Sequence, residues 1–133
     1  MGNPVATMNS QVMATDTHIV LVPTPGGPVP TPLPHVFSGA IMGATVPTVN
    51  IGGQAAATLD SIAFNNPPHI PMPPGASFQA PPNNQGKVVM ASFTVNVGGK
   101  GLARVGDRVE TCNDPAPLPV GTITGPAGTV FAG

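Results

Sequence analysis

Apolar residues occur along this chain in short runs rich in β-branched side chains, and glycine or proline interrupts each run. No window keeps the apolar spacing of an amphipathic helix. The pattern therefore predicts an all-β fold built from short strands. The predicted strands are Thr17–Val22, Val46–Ile51, Ala57–Ala63, Val88–Val97, Ala103–Thr111 and Val120–Thr124.

One segment of the chain occurs twice. Thr48–Ala57 (TVNIGGQAAA) aligns with Thr94–Ala103 (TVNVGGKGLA), and the Thr-Val-Asn triplet, both glycines and the last alanine are identical. A Gly-Gly pair between two short apolar runs is typical of a tight β-hairpin. The repeat predicts an architecture of similar supersecondary units. A third copy is not evident, and Met13–Asp16 is at best its remnant.

Two proline-rich connectors separate the predicted strands. Pro23–Pro34 carries six prolines and Asn65–Asn84 carries seven. Proline fixes an extended backbone and lacks the N–H donor, so the first connector predicts an edge or a loop and excludes a central strand. Flexible linkers are the alternative interpretation.

Composition predicts a small folded chain that needs an additional stabilising element. The 133 residues suit one domain over 1–133, with a core at about 15–114 and a Gly/Pro-rich segment at 115–133. Glycine and proline make up more than a quarter of the chain, yet 41% of the residues are hydrophobic and the net charge is only −1. Disordered chains usually combine low hydrophobicity with high net charge. A folded, turn-rich protein is therefore expected.

Charge and sorting signals exclude several classes of function. Only 7% of the residues are charged, so the surface either consists largely of Ser, Thr, Asn and backbone or is buried in large part against a partner. With four Lys plus Arg, we expect no nucleic-acid binding. One cysteine cannot form an internal disulfide. Neither a secretory signal nor an apolar stretch of membrane-spanning length is visible. Assembly in the cytoplasm is expected.

The strong transition-metal ligands are few and far apart in sequence: His18, His35, His69 and Cys112. Four such ligands would fill one tetrahedral zinc site with no open position, as in structural sites. Taken singly, each histidine could be an ordinary strand or loop residue, and Cys112 could be a small buried hydrophobe. A catalytic interpretation also stays open, with Cys112 as a nucleophile or three histidines around a zinc-bound water.

The second repeat resembles a known family. Phe93–Asp107 (FTVNVGGKGLARVGD), followed by Cys112, is similar to the PAAR-repeat family, which is named for a Pro-Ala-Ala-Arg element followed by Gly-Asp. Asp16-Thr17-His18 resembles a further element of that family in shortened form. In this chain Gly101-Leu102 stands in place of Pro-Ala, and the first copy has Thr58 at the arginine position.

The resemblance implies a fold and a role. PAAR proteins are small cones of short β-hairpins in a pseudo-three-fold arrangement, with one structural zinc near the apex held by three histidines and one cysteine. In this sequence the ligands would be His18, His35, His69 and Cys112. Such proteins cap the trimeric β-helical spike of contractile injection systems, as in type VI secretion and phage tails.

The resemblance thus predicts a spike tip, which is a structural protein and not an enzyme. It would bind the spike at its base, carry effector cargo only non-covalently, contact the target membrane transiently and leave the cell within the particle. A small zinc- or cysteine-dependent hydrolase and a proline-rich adaptor are the rival predictions.

Overall fold

The computed structural model describes residues 2–71, 73–125 and 130–133, and it confirms the all-β prediction. The described residues form strands and turns without a helix. The strands are β1 (Asn3–Pro4), β2 (Gln11–Val22), β3 (Val29–Gly43), β4 (Val46–Ile51), β5 (Gln54–Ala56), β6 (Ile62–Asn65), β7 (Ser77–Phe78), β8 (Gln85–Val88), β9 (Asn96–Val97), β10 (Lys100–Gly101), β11 (Arg108–Thr111), β12 (Leu118–Gly125) and β13 (Phe131–Ala132).

The main sheet closes on itself. Its strand order is β12-β11-β8-β6-β3-β2-β7, every pairing is antiparallel, and β12 also pairs with β2. Six strands therefore form a ring, and β7 attaches to the far end of β2 at Val20 and Leu21. Closure leaves no exposed sheet edge at the level where all six strands are present.

The interior of this ring changes from apolar to polar along its length. Successive side chains of a strand point to opposite faces, so alternate residues line one interior. At the end where β2 begins, the interior holds an apolar core. Further along, β2 buries Asp16 and His18, and β3 buries His35. The fully buried apolar residues of the core include Val12, Phe37, Ile41, Val88, Val109 and Ile123.

Residues outside 15–114 contribute to this interior. Val12 and Ile123 are fully buried in its apolar core. The described chain contains no helix with the length and apolarity that a bilayer crossing requires.

The two repeated segments form the predicted hairpins. β4 pairs with β5, and β9 pairs with β10. Gly52–Gly53 and Gly98–Gly99 form the turns, with φ of 61° and 83° in the first and 61° and 82° in the second. Two consecutive positive φ values define a turn that glycine adopts without steric cost. The hairpin prediction is confirmed.

A third hairpin is built from the two ends of the chain. β13 pairs with β1, with Ala132 opposite Asn3 and Phe131 opposite Pro4. The prediction that Met13–Asp16 is a remnant of the third copy is wrong, because those residues lie within β2 and pair with β3. A linear comparison of sequence segments misses a unit whose halves stand at opposite ends.

Backbone hydrogen bonds join the three hairpins in a closed ring. The N–H of Ala6 donates to the carbonyl of Ala103 at 2.8 Å, that of Ala103 to Ala57 at 2.9 Å, and that of Ala57 to Ala6 at 3.2 Å. A second set repeats the pattern three times: Met8 donates to Ala55, Leu59 to Gly101 and Val105 to Pro4. We call these three hairpins (β4–β5, β9–β10 and β13–β1) the hairpin layer.

Each unit of the hairpin layer leads into the main sheet through the same turn. The side-chain oxygens of Ser10, Ser61 and Asp107 accept hydrogen bonds from the backbone N–H groups three residues earlier, at 2.8–3.0 Å. The third residue of each turn has positive φ: Asn9, Asp60 and Gly106. These turns explain why Ala57–Ala63 and Ala103–Thr111, each predicted as one strand, are interrupted.

The first proline-rich connector becomes part of an edge strand. β3 pairs through Val29 to Ala40 with the whole of β2, whereas β6 covers the other side of β3 only from Gly39 onward. Pro30, Pro32 and Pro34 stand at alternate residues, so their missing N–H donors all fall on one side of the strand. The edge prediction is confirmed, and this segment is not a flexible linker.

The predicted strand Val88–Val97 is also interrupted. Only its two ends belong to strands, β8 and β9. Between them, the Ser92 hydroxyl accepts hydrogen bonds from the N–H groups of Thr94 and Val95. Such a side-chain bond to the local backbone competes with strand pairing.

Candidate metal centre

The three histidines, which are distant in sequence, meet at the polar end of the sheet ring. His18 lies on β2, His35 lies on β3, and His69 lies in the connector that follows β6. The ring centroids are 4.8 Å apart for His18 and His69, 5.5 Å for His18 and His35, and 5.6 Å for His35 and His69. The antiparallel register explains part of this arrangement, because His35 is paired with Asp16, two residues from His18.

Cys112 reaches the same point from the end of β11. Its sulfur lies 3.8 Å from Nε2 of His18 and is buried. All four residues predicted as ligands therefore lie in one neighbourhood. We call this group, together with Asp16, the polar cluster.

Asp16 is the member that sequence reasoning did not select as a ligand. Its Oδ2 lies 2.9 Å from Nε2 of His69 and 3.4 Å from the Cys112 sulfur. One potential ligand atom from each of Asp16, His18, His69 and Cys112 falls within 4.8 Å of the other three, so this group could hold a metal ion. The alternation of side chains along a strand could have identified Asp16. Because β2 begins at Gln11, Asp16 and His18 lie two residues apart in one strand and on one face of it.

His35 lies beside this group of four rather than in it. Its Nδ1 is 3.1 Å from the carbonyl oxygen of Leu33, to which it donates in the tautomer that satisfies both atoms. That tautomer leaves a lone pair on Nε2, which is buried and finds no hydrogen-bond partner among the described residues. A metal-ligating histidine commonly shows this pattern, with one nitrogen on a backbone carbonyl and the other on the ion.

His18 is held in its neutral form. Burial and then the neighbouring His69 lower its pKa, and Asp114 and Asp16 oppose the shift only in part. Its Nδ1 lies 3.5 Å from Oδ2 of Asp114 and has no hydrogen bond within the described chain. Neutral imidazole is the form that binds metal ions.

The Cys112 thiol is protonated in the metal-free protein. Burial, followed by the charge of Asp16, raises its pKa to about 12. The backbone N–H groups of Asn84 and of Cys112 itself act in the opposite direction, since they hydrogen-bond to the sulfur. Binding of a divalent ion would displace the thiol proton, because the thiolate is the ligand.

The polar cluster is closed off from solvent. The side chains of His18, His69 and Asp16 are at most 2% exposed. The Phe78 ring covers His18 and His35, with centroids 5.6 Å and 5.4 Å away. Asp16 also accepts hydrogen bonds from the Thr111 hydroxyl and from Nδ2 of Asn113, at 3.4 Å for the latter.

The donor set fits a transition-metal ion. Imidazole and thiolate ligands suit Zn²⁺ and similar ions, whereas Ca²⁺ and Mg²⁺ prefer oxygen. The buried Nε2 of His35, which has no partner in the described chain, is an atom that such an ion could satisfy. A structural zinc site takes all four ligands from the protein, and the polar cluster offers enough donor residues to supply them.

Comparison with protein-family models gave no match, and comparison with curated proteins gave none either. The PAAR resemblance therefore stays a prediction carried by the residues quoted above.

Proposed function

We propose that this protein is the tip of a spike in a contractile injection system. It would dock on the spike through the hairpin layer, and one zinc ion would cross-link the polar cluster. The observation that carries the proposal is the hydrogen-bonded ring at Ala6, Ala57 and Ala103. Through it a single chain presents three equivalent hairpins. A partner with three-fold symmetry requires such a surface if one copy is to cap it.

The side chains of the hairpin layer support docking. Val49, Val95 and Val130 precede the turn at corresponding places in the three hairpins and are 36%, 36% and 47% exposed. Each hairpin is a two-stranded sheet, and an unpaired strand edge can accept a further strand. The low content of charged residues also agrees with a surface that a partner covers.

The proposed ion is zinc, bound by His18, His35, His69 and Cys112. His35 is preferred to Asp16 as the fourth ligand because its Nε2 has no partner within the described chain. The Asp16 carboxylate, in contrast, already accepts hydrogen bonds from Thr111 and Asn113, and neither bond involves the thiol proton that the ion would displace. The zinc supplies a cross-link: these residues would join β2, β3, the second connector and the end of β11.

This cross-link is proposed to make a rigid point. From Gln11 to His18, β2 advances by seven residue steps, which corresponds to roughly 23 Å of extended strand between the hairpin layer and the polar cluster. In the proposed assembly the layer faces the trimeric β-helical spike and the zinc end forms the apex of a cone that meets the target membrane.

The same features weigh against the rival functions. A cysteine nucleophile needs a lowered thiol pKa, whereas that of Cys112 is raised. With four Lys plus Arg in the whole chain, nucleic acid is not a proposed partner. Effector cargo, if carried, would bind non-covalently, and the protein would be assembled in the cytoplasm and leave the cell within the particle.

Docking is tested by mixing the protein with a trimeric β-helical spike protein encoded in the same genome and measuring the mass of the complex. We expect one copy per trimer. Val95→Asp should weaken binding at least tenfold, because it places a charge in the buried interface. Val120→Asp is the matched control, since Val120 is 40% exposed on β12, outside the hairpin layer. Three copies per trimer, or equal loss in both variants, would contradict the proposal.

A further inference from the structure

The connector that carries His69 is closed at its neck by two asparagines. Asn65 is the last residue of β6, and Asn84 directly precedes β8. The backbone N–H of Asn65 donates to the carbonyl of Asn84 at 2.8 Å, and Nδ2 of Asn65 donates to Oδ1 of Asn84 at 3.2 Å. Two bonds therefore fix where this long segment leaves and rejoins the sheet.

Asn84 also contacts the polar cluster at His69. Its Oδ1 accepts a hydrogen bond from the backbone N–H of His69 at 2.8 Å. The same oxygen accepts from Nδ2 of Asn65. One side-chain oxygen thus joins the neck of the connector to the main chain at a residue of the polar cluster.

The backbone at Asn84 is suited to making both contacts. Its φ is 58°, in the left-handed region that asparagine tolerates better than most other residues with a side chain. The amide orientation is fixed, because Oδ1 accepts from two donors and Nδ2 donates to the carbonyl of Pro82 at 3.3 Å. Alanine or leucine at this position would lack the acceptor oxygen.

We propose that Asn84 is a positioning residue of the metal centre, which fixes the main chain at His69 relative to the main sheet before the ion binds. This inference rests on the proposed metal-binding function. Hydrogen bonds of this kind, behind the ligands, typically change metal affinity by about 10–100-fold. A residue that only closed a loop would alter stability and leave the ligand field of the bound ion unchanged.

The test uses cobalt(II) as the probe, because a thiolate–cobalt bond gives a charge-transfer band and its titration gives an affinity. Asn84→Gly keeps the backbone N–H and tolerates the positive φ while removing the acceptor for His69. We expect cobalt binding to weaken about 10–100-fold and the band to shift. Asn84→Asp retains an acceptor oxygen and should bind cobalt more tightly than Asn84→Gly.

Asn9→Gly is the matched control. Asn9 also has positive φ, at 74°, and its amide bonds to Gln54 at the hairpin layer, on the exposed surface. Equal cobalt affinity and equal spectra for Asn84→Gly and Asn9→Gly would overturn the inference. If Asn84→Gly does not fold, Asn84→Asp decides: affinity near that of the unmodified protein supports the role, and a loss above about tenfold contradicts it. If the unmodified protein itself binds no cobalt, the metal-binding function fails instead.

Discussion

At the scale of single residues, burial of the polar cluster costs free energy, and hydrogen bonds among its members offset that cost only in part. Burying a carboxylate, a thiol and three imidazoles costs free energy unless each polar atom finds a partner. Asp16 is compensated by Thr111, Asn113, Cys112 and His69. The buried Nε2 of His35 is not compensated within the described chain. A bound ion would supply the missing partner.

The raised pKa of Cys112 predicts how the stability of the metal-free protein depends on pH. The thiol pKa is about 12 in the folded state and 9.0 in the reference state, so folding favours the protonated form. This contribution to the free energy of unfolding is fully present below pH 9 and is lost as pH rises towards 12. The free energy of unfolding, measured by urea denaturation in the presence of a chelator, should therefore be lower at about pH 10.5 than at about pH 8.

Cys112→Ala provides the comparison for this prediction. Other groups titrate in the same range, and the variant retains all of them. The decrease between the two pH values should be smaller in Cys112→Ala than in the unmodified protein. An equal decrease in both would show that the thiol is not buried as described.

At the scale of elements, the hairpins were predictable because their signal is local. A Gly-Gly pair between apolar runs specifies its turn within a few residues, and both predicted hairpins form. The strand interruptions at Asp60 and Gly106 were missed, because each turn depends on a side chain three residues after its first residue. The third hairpin was missed because pairing between the chain ends leaves no local pattern.

The residues of the candidate site also divide into those that the sequence identified and one, Asp16, that it did not. Counting the strong metal ligands found the three histidines and Cys112, which the fold brings together. Asp16 could not be selected by counting, since carboxylates are common on surfaces. The contacts that place it come from β11 and the second connector, and their register with β2 depends on the closed sheet.

The equivalence of the three hairpins predicts that the chain can be opened at another turn. Joining the two ends of the chain through a short glycine linker and opening it between Gly52 and Gly53 should give a protein that folds, because the ring of hydrogen bonds is retained. Cooperative thermal unfolding, followed by circular dichroism, is the measurement.

A second permutant opened at Gly39 is the control for this prediction. Gly39 lies within β3 and pairs with Val12 of β2 on one side and Asn65 of β6 on the other, so new chain ends there would disrupt the main sheet. Failure of the Gly52–Gly53 permutant to fold would contradict the equivalence of the hairpins. Equal folding of both permutants would show that the test does not discriminate between the sites, and the equivalence would lose this support.

At the scale of the whole molecule, the two ends of the sheet ring are stabilised differently. The end next to the hairpin layer has a continuous apolar core. The other end replaces apolar burial with the polar cluster, whose members come from four separate segments. Structural zinc contributes about 10–16 kcal/mol in zinc-finger peptides, which is comparable to the net stability of a whole domain. A bound ion would therefore offset the missing core.

Native mass spectrometry of the purified protein, with and without the Cys112→Ser substitution, tests this account most directly. We predict one tightly held zinc per folded chain, and its loss in Cys112→Ser because a hydroxyl does not replace the thiolate ligand. His69→Ala should lose the ion as well, and Asp60→Asn, at an exposed ion pair with Lys100, should keep it. A folded protein without metal, or zinc retained equally in Cys112→Ser and His69→Ala, would contradict the account.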